Sequence, residues 1–98
     1  MAATRDYELM VVLSPEIGDD VLSESLDRLN LAITSRGGEV VESDTWGRRR
    51  LAYPIKRFIE GNYVVSQIKL DPSAVPSLES SLKISEEVIR HLIIRSDE

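Results

Sequence analysis

From residue 5 the chain runs RDYELMVVLS, with Tyr7, Leu9, Val11 and Leu13 at alternate places and Met10 and Val12 making the other side apolar too. A short run so rich in β-formers predicts a strand over 5–14. PEIGDD breaks it, and Asp19 or Asp20 is expected to cap a helix by accepting from its unpaired N–H groups. Leu22, Leu26, Leu29 and Ile33 follow at helical spacing as one apolar stripe. Gly37 and Gly38 supply the left-handed stop. Glu39 to about Tyr53 reads as a second strand with Gly47 as a bulge or bend, and Pro54 to Gly61 as a long loop. NYVVSQIKL alternates cleanly, placing Val64, Ser66, Ile68 and Leu70 on one face and Tyr63, Val65, Gln67 and Lys69 on the other. DPSAVPSLESSLKIS reads as a helix capped by Asp71 or Ser73, with Pro72 and Pro76 in its first turn and Val75, Leu78 and Leu82 as its buried stripe. EEVIRHLIIRS is a last strand, apolar on both faces.

The order β-α-β-β-α-β defines the fold class: α+β, the ferredoxin-like split βαβ, with a four-stranded antiparallel sheet and two helices on one face. The first and third strands are inner, and the second and fourth are edges. A single domain is expected over 1–98, with short flexible ends at about 1–4 and 96–98. The sheet face without helices should carry Met10, Val12, Tyr63, Val65 and Gln67. That is too apolar a set to be left in water, so these five are the candidate interface with a partner protein.

Composition narrows the chemistry. The chain has 98 residues, one histidine and no cysteine. That excludes disulfides, thiol catalysis and cysteine-based zinc sites, and fits a cytoplasmic protein. No apolar run is long enough to span a membrane, and MAATRDYEL does not read as a secretion signal. His91, inside the last strand, is expected to be a packed sheet residue rather than a base. Asp19–Asp20 is explained by helix-dipole complementarity and Glu86–Glu87 by a solvated turn. Gly37-Gly38 ends a helix instead of opening one, so it is no phosphate loop. No enzyme activity, cofactor, metal or small-molecule substrate is expected. Base stacking of the RNA-recognition-motif kind is also rejected: the third strand offers only Tyr63, and Tyr7 faces the core.

Charge is the anomaly. The thirteen residues WGRRRLAYPIKRF, Trp46 to Phe58, carry five positive charges and no acid. The chain as a whole is −5, so the other 85 residues stand at −10. Glu42, Asp44, Arg48 and Arg50 share one parity of an edge strand and would discourage edge-to-edge pairing. Gatekeeping accounts for that parity alone. Arg49 puts charge on the other face, Lys56 and Arg57 extend it into the loop, and Tyr53 adds a ring beside them. Basic residues with a neighbouring aromatic fit a small nucleic-acid contact, and the arginine fork suits phosphate.

Gly47-Arg48-Arg49-Arg50-Leu51-Ala52-Tyr53-Pro54-Ile55-Lys56 resembles the signature of the bacterial small-subunit ribosomal protein six family, and the likeness extends through YELMVVLSP, the leucine-striped helix, GNYVVSQIKL and the terminal strand. Trp46 and Arg48 depart from it, standing where relatives are expected to be aliphatic. The resemblance implies a structural, non-enzymatic protein of the small subunit. It implies a heterodimer with ribosomal protein eighteen that binds the central domain of 16S rRNA during assembly. By position it implies rRNA contacts from Arg49, Arg50, Tyr53 and Lys56, and from Arg5 at the basic-aromatic start of the first strand. Together with Arg48 and Arg57 these make the candidate rRNA-binding set. The alternative is a ferredoxin-like module that self-associates or senses a small molecule.

Overall fold

The computed structural model describes residues 4–55 and 57–96. These form β1 (Arg5–Leu13), α1 (Asp19–Thr34), β2 (Glu39–Ile55), β3 (Phe58–Leu70), a 3-10 turn (Pro72–Ala74) leading into α2 (Val75–Ile84), and β4 (Val88–Arg95). The sheet order is β2-β3-β1-β4, every pair antiparallel, so the expected split βαβ topology and its two inner strands are present. Residues 1–3 and 97–98, parts of the ends expected to be flexible, lie outside the described residues, as does Lys56. At 96 the chain is still tied down, since the Ser96 N–H donates to the Asp6 carbonyl at 3.0 Å.

Strand alternation and helix stripes meet in one core. Tyr7, Leu9, Val11 and Leu13 of β1 and Val64, Ile68 and Leu70 of β3 pack against Leu29 and Ile33 of α1 and Leu78 and Leu82 of α2. Each such aliphatic side chain contributes roughly 1.5–3 kcal/mol on burial. The one polar member of the β3 stripe, Ser66, is 1% exposed and is satisfied by the Ser43 hydroxyl of β2 at 3.2 Å. His91 of β4 lies opposite Val11 on this same helix-covered side, its Nε2 3.6 Å from Glu79 Oε2 of α2.

Local chemistry departs from expectation in four places. The N-cap of α1 is Gly18, not an aspartate, and no side chain caps it; Asp20 falls in the first turn, where a carboxylate still complements the helix dipole. The two glycines after α1 act differently. Gly37 has φ +79, whereas a Cβ on Gly38 would lie 2.8 Å from the Lys69 carbonyl, so Gly38 is there for close approach. Glu87 is not merely solvated. Its carboxylate meets Arg28 at 2.9 Å and the Ser85 hydroxyl at 3.0 Å, and a backbone hydrogen bond, then that hydroxyl, then Arg28 hold it below the usual carboxylate range. Asp71 does cap as expected, accepting from the Ser73 N–H at 2.9 Å and hydroxyl at 2.8 Å, and its pKa is lowered by those two bonds.

The fourth departure shapes the functional surface. The expected loop over Pro54–Gly61 is instead a tight hairpin, because β2 continues to Ile55 and β3 begins at Phe58. The two long strands also shift register at Thr45/Gly47. That bulge, with Gly47 at φ +79, reverses the parity of the stretch from Gly47 to Arg50. Asp44 pairs with Val65 on the open face, but Arg48 pairs with Asn62 on the helix side. Glu42 and Asp44 therefore do not share a face with Arg48 and Arg50, and the single-parity gatekeeper row does not exist.

Candidate functional site

Antiparallel partners stand side by side on one sheet face, so the register sorts the open face into rows. Across β2, β3, β1 and β4 the first row is Glu42, Gln67, Glu8, Ile94; the second is Asp44, Val65, Met10, Leu92; the third is Gly47, Tyr63, Val12, Arg90. Beyond β1, Arg49 stands opposite Gly61. The face thus carries carboxylates toward one end and along its β2 edge (Glu42, Glu8, Asp44), apolar side chains through its middle and along β4 (Val65, Met10, Leu92, Ile94), and arginines at the hairpin end. Within the band Leu92 is 39% and Ile94 49% exposed, and Met10, Tyr63 and Val65 are half-buried. Gln67 also lies on this face and donates to Glu8 Oε2 at 3.1 Å.

Val12 is a correction. Parity assigns it to the open interface, but it is 1% exposed. The far half of the β2–β3 hairpin and the start of β4 form a second cluster over it: Leu51 and Ile89, with Phe58 and Tyr63 packed alongside. Gly61 makes room, since a Cβ there would overlap Val12 Cγ1. The candidate protein-binding surface is accordingly Met10, Tyr63, Val65 and Gln67, joined by Leu92 and Ile94.

The basic residues divide by what they touch. Arg48 Nη2 donates to the Pro15 carbonyl at 2.9 Å, and Arg57 Nη2 lies 4.0 Å from Glu16 Oε1 with its guanidinium over Phe58. Both tie the hairpin to the β1–α1 connection. Arg49 lies over the Trp46 ring at 5.9 Å, and its Nε donates to the Trp46 carbonyl at 3.3 Å. Arg50 is exposed opposite Glu60. Tyr53, 58% exposed, accepts from Arg90 Nη1 at 3.0 Å, with that guanidinium also over its ring. The Lys56 contact expected from sequence lies outside the described residues.

Arg5 does not join this group. It is exposed at the opposite end of β1, paired with Leu70, whereas Arg49 pairs with Gly61 nine residues along β3; at strand rise that is about 30 Å. Sequence reasoning missed Arg90, which sits 37 positions from Tyr53 and reaches it only through the β1–β4 pairing. It also missed Leu92 and Ile94, because a strand with apolar residues on both faces gives no clear parity signal. Among the described residues no cluster of His, Cys, Asp or Glu could hold a metal ion. A cleft of about 140 Å³ between α1 and α2 is floored by core residues such as Val11, Leu29 and Leu82, on the side away from the open face.

Comparison with known proteins gives a consistent picture. A family model described as Ribosomal protein S6 matches residues 6–95. The chain is 42% identical over 95 residues to small ribosomal subunit protein bS6 of Syntrophomonas wolfei, covering 96% of this chain and 98% of that protein. It is 37% identical over 94 residues to bS6 of Desulforamulus reducens, covering 96% and 99% respectively. The crystal structure of 30S ribosomal protein S6 from Thermotoga maritima superposes with a TM-score of 0.91 at 28% identity, covering 97% of this chain and 90% of that one.

Proposed function

Because this chain belongs to the ribosomal protein S6 family, and so is a structural protein of the bacterial small ribosomal subunit in the cytoplasm and not an enzyme, we propose that it works there as a rigid adaptor. Its open sheet face seats ribosomal protein eighteen, and its hairpin end sets a few arginines against phosphates of the 16S rRNA central domain. The observation that carries this reading is the gradient along the open face. An apolar band suited to a protein lies next to an arginine-bearing end suited to phosphate, with carboxylates at the far end to keep RNA away. An overall charge of −5 fits a division of labour in which the partner neutralises most of the phosphates. Contacts of this chain to the backbone would then fix orientation rather than read sequence.

Within the basic set the contacts suggest different roles. Arg48 and Arg57 are engaged with Pro15 and Glu16, which suits them to holding the hairpin. Arg49 and Arg50, on opposite faces of β2, are the better candidates for phosphate. Arg90 belongs with them through Tyr53, and Arg5 is the weakest candidate on position.

A salt titration of the ternary complex tests this. With both Arg49 and Arg50 changed to alanine, the slope of log K against log salt should become shallower by about 0.7–0.9 for each phosphate that is no longer neutralised. Single substitutions divide the change between the two arginines. A slope unchanged by the double substitution would mean that they serve the fold and not the RNA.

A further inference from the structure

We infer that Trp46 is a stacking platform for one unpaired nucleobase of the RNA, held at the boundary between the protein-binding band and the phosphate-binding end. The inference rests on the adaptor reading above for the identity of its ligand, and on separate observations for the site. Trp46 is a large aromatic side chain left 49% exposed. It sits in the β2 bulge between Thr45 and Gly47, where the extra residue and the positive φ of Gly47 re-aim the side chain. The indole is not loose. It lies within 9° of parallel to Tyr63, ring centroids 6.3 Å apart, and the Arg49 guanidinium stands over it at 5.9 Å.

An indole held flat by a second ring and accompanied by an arginine plane is what an unstacked base recognises, since bases stack on aromatic faces and guanidinium planes alike. The surroundings favour a nucleobase over an apolar protein side chain. Arg49 stands over the indole, so an occupant bearing its own phosphate meets positive charge there, with Asp44 one row away on the same face as the nearest acid on β2. Stacking of this kind is tolerant of sequence, so any of the four bases would serve. It differs from the RNA-recognition-motif mode because the platform is on an edge strand and takes a single base.

Trp46 is the chain's only tryptophan, so its fluorescence reports the site directly. The full chain is mixed first with purified ribosomal protein eighteen, then with a 16S central-domain fragment, with a Trp46→Phe chain as the emission blank. The expected result is a small change on adding the protein, since Tyr63 beside the indole belongs to the protein-binding band, and strong quenching only on adding RNA. Trp46→Ala should weaken RNA binding about ten-fold with an unchanged salt slope, because it removes a stack and leaves the phosphate contacts in place. Trp46→Phe should recover most of that affinity. If the emission responds fully to the protein alone, the platform is a protein contact and the inference falls while the adaptor reading stands. An RNA complex that forms with Trp46 emission unchanged overturns it equally. If no complex forms at all, the adaptor reading fails first and takes the inference with it.

Discussion

With ribosomal protein eighteen seated on the open face as proposed, Leu92→Asp should lower the affinity for it on the order of 100-fold, because an unpaired charge left in an apolar interface costs several kcal/mol. Leu92 closes the row Asp44, Val65, Met10, Leu92 on the edge strand β4, and it is 39% exposed in the isolated chain. The folded monomer therefore tolerates the carboxylate: water reaches it, and the cost in unfolding free energy should not exceed about 1 kcal/mol, the span of β-propensity. Isothermal titration against the purified partner and a urea melt of the variant alone are the two measurements. A variant that melts normally and binds normally would remove the apolar band from the interface. Met10→Asp, on the neighbouring inner strand, should act in the same direction with a larger stability cost, since Met10 is already half-buried.

The second large effect is on the fold that carries the site. Gly61→Ala should destabilise the protein by about 2 kcal/mol, within the usual range for overpacking, and lower Tm by roughly 8–16 °C for a domain of this size. A Cβ at Gly61 would overlap Val12 Cγ1 and lie 3.3 Å from the Leu13 carbonyl. Val12 cannot swing away easily, because it is β-branched and is 1% exposed beneath Leu51 and Ile89. The added methyl pushes β3 from β1 at the point where the hairpin leaves the sheet, which is where Arg49 is positioned. Gly37→Ala is the contrast. That glycine has open space around it but φ +79, so its cost is backbone strain of about 1 kcal/mol, remote from the site. Calorimetry of the two variants should rank them in that order. Equal shifts would mean that the Val12 cluster is loose and the hairpin less rigid than an adaptor needs.

The sequence carried the architecture because two periodicities were unambiguous. The alternation in NYVVSQIKL and the stripe Leu22, Leu26, Leu29, Ile33 each allow one orientation, and with chain order they determine which strands are inner. It misplaced what depends on a single extra residue. Gly47 marked a bulge or bend, and the bulge is there, but nothing in DTWGRRR says that Trp46 is its unpaired residue, and that decides which arginines face the partner side. Pro54 argued for a loop, but an edge strand has one side whose N–H groups need no partner, so β2 runs through it. Val12 looked open because strand parity treats the sheet as flat. The real sheet coils, and the hairpin brings Leu51 over one corner. Arg90 and Tyr53 could be joined only by tertiary register. The signature segment found the basic hairpin as a unit and gave no means of dividing its arginines into those that brace it and those that face outward.

The adaptor claim requires two partners held by different chemistry, and affinity capture of the tagged full-length chain from a bacterial lysate, with and without ribonuclease, separates them in one measurement. Mass spectrometry and RNA sequencing of the eluate should find ribosomal protein eighteen in both samples, and 16S rRNA only in the sample spared ribonuclease. Disappearance of ribosomal protein eighteen on ribonuclease treatment, or recovery of neither partner, would contradict the account.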